Sequence, residues 1–349
     1  MVALRTVPDM VRNTWRDLTW ESEEIPEQGM DHAVVILRGL RSAEGELQDM
    51  VPDSVVVRVP HQAEYRAQAA LESSIIAQLF RNSTARVPET VRQAYARGTF
   101  GTPNPVMLSL QTEVAGEPLT ADVWAGMTDS QRERVIEQLG TMFARMHTMD
   151  PDLLPLVNVE PWWTDGEATS TLNMNPRALP GKFELMKTRV PEFLTGNISE
   201  QELAAVEQNF AQIEELLARP SQQRCLTHGD LHDQHVLWTA EGGVGVIDFS
   251  DMTVGDPAVD YMHLDLIDAQ LPSLVLSAAE KAHARRLQEL PDQLQHRTGA
   301  LREKLYELDN ILERAAIYKQ WDNIFLLIDH FRTGRSERVS LDPGADHGV

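Results

Sequence analysis

One cysteine, Cys225, occurs in 349 residues. No intramolecular disulfide can form, which fits a reducing compartment such as the cytoplasm. Basic residues are in deficit: 31 Lys and Arg against 53 Asp and Glu give a formal net charge of −22. Such a surface repels nucleic-acid phosphates and anionic membranes, so neither partner is expected. Two readings of the acidity stay open, simple solubility or an acidic cleft for a cationic substrate. No apolar run approaches the roughly 18 residues that a membrane span needs. Met1 to Asp17 carries Arg5, Pro8, Asp9, Arg12 and Arg16 without a long apolar stretch, so no signal peptide is expected. Internal repeats and low-complexity tracts are also missing.

What is present is ordinary globular material. Hydrophobic residues make up 42% of the chain, enough for a sizeable core, and the length suggests about two domains or lobes. The first third reads as strands with one helix. Ala33–Leu37 and Ser54–Val59 are short apolar strands joined by a polar link, Arg41 to Asp53, as in a loose hairpin. Glu64 to Phe80 is helical, with Leu71, Ile75, Ile76 and Leu79 on one face. Val106–Leu110 is a further strand that runs into Gln111–Gly116, a short hinge. The remainder is mostly helical, giving an α+β class. Ser130 to Met149 repeats apolar residues at helical spacing, and Ser199 with Glu202 forms a capping box for the next helix. Pro151 to Asn197 is expected to be irregular, and the helices after Pro257 to be interrupted near Pro272 and Pro291. The tail from Thr333 is polar.

The chemistry is concentrated between 225 and 260. Cys225-Leu-Thr-His228-Gly229-Asp230-Leu231-His232-Asp233-Gln234-His235 precedes the apolar piece Val236–Trp238. Glu241-Gly242-Gly243 reads as a hairpin turn into Val244–Ile247, followed by Asp248-Phe249-Ser250-Asp251. A hairpin of that length brings the loop before it beside the loop after it, so Asp230, His235 and Asp248 are expected to converge. Convergent carboxylates repel unless a cation sits between them. Mg²⁺ is the usual ion where phosphate is also bound. A carboxylate beside the metal can then take the proton of an attacking hydroxyl. Cys225, on a buried strand, is expected to be inert.

These motifs resemble those of the aminoglycoside phosphotransferase superfamily, which shares the protein-kinase fold. The protein-kinase loop reads His-Arg-Asp, four residues, then Asn. Here His228-Gly229-Asp230 is followed after four residues by His235. The Asn-to-His change is similar to macrolide phosphotransferases and aminoglycoside 2''-phosphotransferases. Ile247-Asp248-Phe249-Ser250 resembles the Asp-Phe-Gly metal site, and Gly255-Asp256-Pro257-Ala258-Val259-Asp260 the structural turn after it. In the first lobe, Val57-Arg58-Val59-Pro60 resembles the strand whose basic residue holds the nucleotide phosphates. Glu72, fourteen positions later, falls where the family places its partner carboxylate. Gln28-Gly29-Met30-Asp31-His32 resembles the phosphate-covering loop, with a single glycine.

The resemblance implies a bilobal protein-kinase-like fold with an antiparallel-sheet N-lobe (1–111), a hinge (112–116) and a mostly helical C-lobe (117–349). It implies a kinase of small molecules that uses Mg²⁺ and moves the γ-phosphate of ATP or GTP to a hydroxyl. The acceptor would be macrolide-like or aminoglycoside-like, with a possible role in antibiotic resistance. Asp230 is the expected base, and Asp248 and His235 the metal ligands. Arg58, Glu72, Asp31 and the hinge residues Gln111, Thr112, Glu113 and Val114 are expected on the nucleotide side. Asp256 and Asp260 are expected to cap the following helix start, His228 to hold the loop, and His232 and Asp233 to face solvent or substrate. The acidic residues Asp265, Asp268, Glu307, Asp309, Glu313, Asp322 and Asp329 fall in the region that forms the acceptor wall, though solvated helix faces carry charges just as readily. Trp162 and Trp163 could stack on an acceptor or pack a core. A monomer or weak dimer is expected.

Three alternatives compete. The same scaffold serves choline-like and sugar-like alcohols. A pseudokinase that only binds nucleotide is suggested by Arg58 and the poor glycine loop. Gly229-Asp230-Leu231-His232 also matches the Gly-Asp-x-His piece of dinuclear metallophosphatases, whose early Asp-x-His and later Gly-Asn-His pieces are missing.

Overall fold

The computed structural model describes residues 4–26, 32–43, 51–60, 72–79, 81, 84–96, 106–149, 179–218, 225–289, 310–334 and 338–341. Two compact units divide the chain. One comprises Met1–Glu117 with Val236–Ser250, the other Pro118–His235 with Asp251–Val349. The first is built on antiparallel sheet and the second is mostly helical, as the α+β reading expects. Among the described residues no helix is long and apolar enough to cross a membrane.

In the first unit, five strands run in the order Ser22–Glu24, His32–Arg38, Ser54–Pro60, Val106–Thr112 and Thr90–Ala96. Val35 stands opposite Val57, and Val57 opposite Leu110. Side chains alternate between faces along a strand, so Val35, Leu37, Val55, Val57, Val59, Leu108 and Leu110 form one buried layer. Val7, Met10 and Val11, spaced for one face of the helix Val7–Thr14, join that layer. Each such fully buried side chain contributes roughly 1.5–3 kcal/mol. Residues 72–79 are helical. Within this unit the strands Val236–Thr239 and Gly243–Val246 form the expected hairpin, with Val236 opposite Val246 and Thr239 opposite Gly243.

The strand Thr90–Ala96 carries no sequence signal because it is an edge strand. Its Arg92 and Gln93 are half-buried and polar, so apolar and polar residues do not alternate. Arg92 instead grips Asp17 with two bonds of 2.9 and 2.8 Å. The Arg92 guanidinium outweighs the opposing effect of burial and, with Ser42, lowers the Asp17 carboxyl from 3.8 to about 2. A carboxyl depressed in the folded state stabilises fully above its unfolded pKa and loses that contribution as pH falls through the folded value. Asp17→Asn is therefore expected to flatten the thermal midpoint between about pH 4 and pH 2, where the native protein's midpoint falls. Melting curves across that window check it.

In the second unit, the helix Asp129–His147 buries Val135, Leu139, Met142, Phe143 and Met146 and packs against Leu271–Glu289. Thr128 and Gln131 cap the first of these reciprocally, and Ser199 with Glu202 caps Glu200–Leu217 as expected. One expectation from proline is corrected. Leu179–Phe193 is helical, not irregular. Pro180 sits in its first turn, where no backbone donor is needed, and Pro191 falls in its last. The helical run after Pro257 is broken beside Pro272, as expected: short 3-10 turns end at Leu266, and Pro272 lies in the first turn of the next helix, Leu271–Glu289. Pro291 lies outside the described residues.

Candidate active site

In the second unit the loop His228–His235 leaves the strand Cys225–Thr227, which pairs with Thr253–Gly255, Thr227 opposite Thr253. His228 is fully buried, and its Nδ1 accepts the Asp230 N–H at 3.3 Å. Gly229 adopts φ +89, and a Cβ there would lie 2.3 Å from the Asp251 carbonyl oxygen. Only glycine fits that turn.

Asp260 anchors the loop from behind. Its carboxylate accepts the N–H groups of His228 at 3.0 Å and Gly229 at 2.9 Å, and His147 Nε2 at 2.8 Å. This corrects the capping role expected of Asp260. The backbone beside it is a short 3-10 turn, Pro257–Asp260, which Asp256 caps through the Ala258 N–H at 3.0 Å. Asp256 is fully buried and also accepts two bonds from Arg314, at 2.9 and 3.2 Å.

With its backbone fixed, the Asp230 side chain stays 38% exposed. His235 Nδ1 donates to the Asp230 carbonyl oxygen at 2.7 Å and lies 3.5 Å from its carboxylate. That bond places the ring proton on Nδ1, so the coordinating lone pair of neutral His235 is on Nε2. Burial holds His232 below the ordinary histidine range, nearby His235 adds to this, and Asp230 opposes it.

Cys225 is fully buried, and its Sγ donates to the His147 carbonyl at 3.1 Å. Burial, and then Asp256 and Asp260, push its thiol well above the usual range, whereas the thiolate is the reactive form. Iodoacetamide is expected to leave the native protein unmodified and to label Cys225 only after denaturation, as intact mass spectrometry can read.

In the first unit the structure brings Arg58, Glu72 and Asp248 together. Arg58 donates from Nη1 to Glu72 at 2.7 Å and from Nη2 to Asp248 Oδ1 at 2.8 Å. Ser250 Oγ donates to the same Asp248 oxygen at 2.7 Å. Asp248 lies at φ +59, a left-handed conformation that aspartate tolerates better than most residues. Carboxylate oxygen is a hard donor suited to Mg²⁺, so Asp248 fits that ion. The imidazole of His235 is a softer ligand.

Gln111 and Thr112 are the last residues of the strand Val106–Thr112. The Thr112 N–H donates to the Glu89 carbonyl at 2.8 Å. The Glu113 carboxylate is held by Arg38 at 2.9 and 3.1 Å and by Ser54 at 2.6 Å. Val114 Cγ1 lies 2.4 Å from where a Cβ on Gly245 would stand, so the hairpin needs glycine there. Arg86 ties the same corner together, donating to the Ala115 carbonyl at 2.7 Å and to the Gly243 carbonyl at 2.8 Å. An isolated arginine in an irregular stretch gives no sequence signal for that role. Asp31, Glu64, Trp162, Trp163, Glu307 and Asp309 lie outside the described residues.

Several late acidic side chains already have cationic partners. Lys319 meets Asp265 at 2.6 Å, Arg332 meets Asp329 at 2.7 Å, and Lys182 meets Asp322 at 3.1 Å. Burial raises the Asp322 carboxyl, but Lys182 and His263 outweigh it and hold the group below the ordinary range. Lys182, Gly229, Asp251, Met262, Trp321 and Asp322 help line a small cavity of about 30 Å³, room for one or two waters.

Comparison with known proteins agrees with this architecture. A model of the phosphotransferase enzyme family matches residues 36–295. A search of curated proteins finds no match. The fold is similar to the GDP complex of wild-type aminoglycoside 2'-phosphotransferase-IIIa, at 17% identity, TM-score 0.63 and coverage of 96% of this chain and 94% of that one. It is similar to APH(2")-IIa in complex with gentamicin, at 13% identity, TM-score 0.57 and coverage of 96% and 93%. It is also similar to the macrolide 2'-phosphotransferase MphH of Brachybacterium faecium, at 18% identity, TM-score 0.51 and coverage of 99% and 100%. At these identities the likeness is one of fold, the protein-kinase-like fold that the motifs between 225 and 260 imply.

Proposed function

Because this chain belongs to the phosphotransferase enzyme family and is an enzyme that transfers phosphate to a hydroxyl, we propose that it moves the γ-phosphate of ATP or GTP onto a macrolide-like or aminoglycoside-like acceptor in the cytoplasm. Phosphorylation of such an acceptor would be an antibiotic-resistance activity. The observation that carries the reading is the loop at Asp230. Buried Asp260 pins its backbone, while the Asp230 carboxylate is left accessible.

Asp230 takes the proton of the acceptor hydroxyl as that oxygen attacks, a contribution on the order of 10²–10⁴-fold. Asp248 and His235 would hold Mg²⁺, which when bound neutralises phosphate charge. Arg58, oriented by Glu72, serves the nucleotide phosphates. Of the hinge residues, Gln111 and Thr112 are committed to the sheet, so the backbone of Glu113 and Val114 is what serves the nucleobase. Catalysis is then positioning and electrostatics. GDP in one solved relative supports a nucleotide donor, and gentamicin in another supports an acceptor of this kind.

A nucleotide-consumption screen tests the reading, with ATP and with GTP, against macrolides, aminoglycosides, peptide antibiotics and small alcohols. Consumption that requires both an acceptor and intact Asp230 supports it. Nucleotide binding without turnover on any acceptor would sink it in favour of a pseudokinase, and turnover confined to a small alcohol would move the acceptor class to metabolites.

A further inference from the structure

We propose that the catalytic loop itself carries a second cation site, formed by Asp230, His232 and His235, which takes a transition-metal ion such as Zn²⁺ and thereby blocks phosphate transfer. The block, though not the site, rests on Asp230 being the base.

The three side chains lie close enough to share one ion. Asp230, His232 and His235 each offer a ligand atom, and these atoms all lie within 4.8 Å of one another. The two imidazole rings stand 3.9 Å apart, centroid to centroid. All three side chains are partly exposed, so an ion can reach them from solvent. Their backbone is set by Asp260 through the His228 and Gly229 N–H groups.

The donor set argues for a softer ion than Mg²⁺. Two imidazole nitrogens and one carboxylate oxygen match Zn²⁺ with a fourth position left to water. Mg²⁺ prefers an oxygen shell and sheds its waters reluctantly. For His235 an outer partner that orients a metal-binding imidazole is already in place. His235 Nδ1 is committed to the Asp230 carbonyl at 2.7 Å, which turns Nε2 into its ligand atom. His232 Nδ1 lies 3.4 Å from Asp233 Oδ1. In the described structure that Nδ1 accepts the Gln234 N–H at 3.2 Å. Metal on Nε2 requires the single proton of neutral His232 to sit on Nδ1 instead, donated to Asp233. The proton count is unchanged, and the Gln234 contact is exchanged for the Asp233 one.

An ion held there occupies the oxygen that would receive the hydroxyl proton. It also draws on His235, which the proposed Mg²⁺ arrangement uses. Inhibition is therefore expected even with Mg²⁺ in excess.

The test uses the full-length chain and Co²⁺ as a visible probe, read by its absorption without any turnover. Saturable binding of one ion that Zn²⁺ displaces is expected. His232→Gln is expected to weaken it by at least the roughly 10–100-fold that losing an orienting partner alone costs. His330→Gln, on the helix Ile311–Thr333, is expected to leave it unchanged. Circular dichroism confirms that His232→Gln is folded, and His235→Gln provides an independent second ligand variant. A Co²⁺ spectrum indifferent to His232→Gln, or no saturable binding, overturns the site. Zn²⁺ bound at full occupancy without loss of transfer overturns the block. A chain that binds Co²⁺ as described but transfers no phosphate to any acceptor contradicts the proposed function and leaves the site standing.

Discussion

Asp230→Asn is expected to lower acceptor phosphorylation by roughly 10²–10⁴-fold, a barrier increase of about 3–5 kcal/mol, with little change in stability. The two halves of that expectation have separate causes. The side chain is partly exposed and 3.5 Å from the nearest His235 nitrogen, so removing its charge breaks no close buried pair. The loop keeps its shape because His235 is bonded to the Asp230 carbonyl and not to its carboxylate. Steady-state rates paired with urea denaturation midpoints check both halves. A variant that retains a tenth or more of the native rate would remove Asp230 from the chemistry.

Asp260→Ala is expected to do the opposite, costing about 3–5 kcal/mol of stability and taking activity down with the loop. Its carboxylate serves three donors, His147 Nε2 and the N–H groups of His228 and Gly229. Asp260 and His228 are fully buried and His147 nearly so, so these donors lose their acceptor inside the protein. Each buried donor left unpaired costs about 1–3 kcal/mol. Asp260→Asn is expected to rescue only partly, because its amide places a donor against one of these N–H groups. Urea unfolding of the three proteins gives the ordering native, Asn, Ala. A loss below about 1 kcal/mol for the alanine variant would mean that the loop is held some other way.

The central strands were legible because buried valine and leucine runs such as 33–37 and 54–59 admit few other conformations. The capping box at Ser199 was legible because its chemistry is local. The loop 228–235 was visible as a motif because several charged residues at fixed spacing are rare. The edge strand Thr90–Ala96 was not, since a half-exposed strand has no apolar alternation to read. The helix Leu179–Phe193 was hidden by its prolines, of which Pro180 sits in the first turn, where no donor is needed, and Pro191 in the last. Asp260 misled for another reason. A helix-start aspartate is usually a cap, and its commitment to residues 31 and 32 positions earlier is a property of the folded chain alone. The same holds for Arg86, whose bonds to Ala115 and Gly243 span 29 and 157 positions.

The central claim, that a γ-phosphate passes directly from nucleotide to an acceptor hydroxyl, is tested by the product itself. The acceptor recovered from a reaction with γ-labelled ATP or GTP is analysed by mass spectrometry and phosphorus NMR. The account predicts a phosphate ester on one hydroxyl, carrying the label and formed in step with the nucleoside diphosphate. Label found only in free inorganic phosphate, beside an unmodified acceptor, would contradict it.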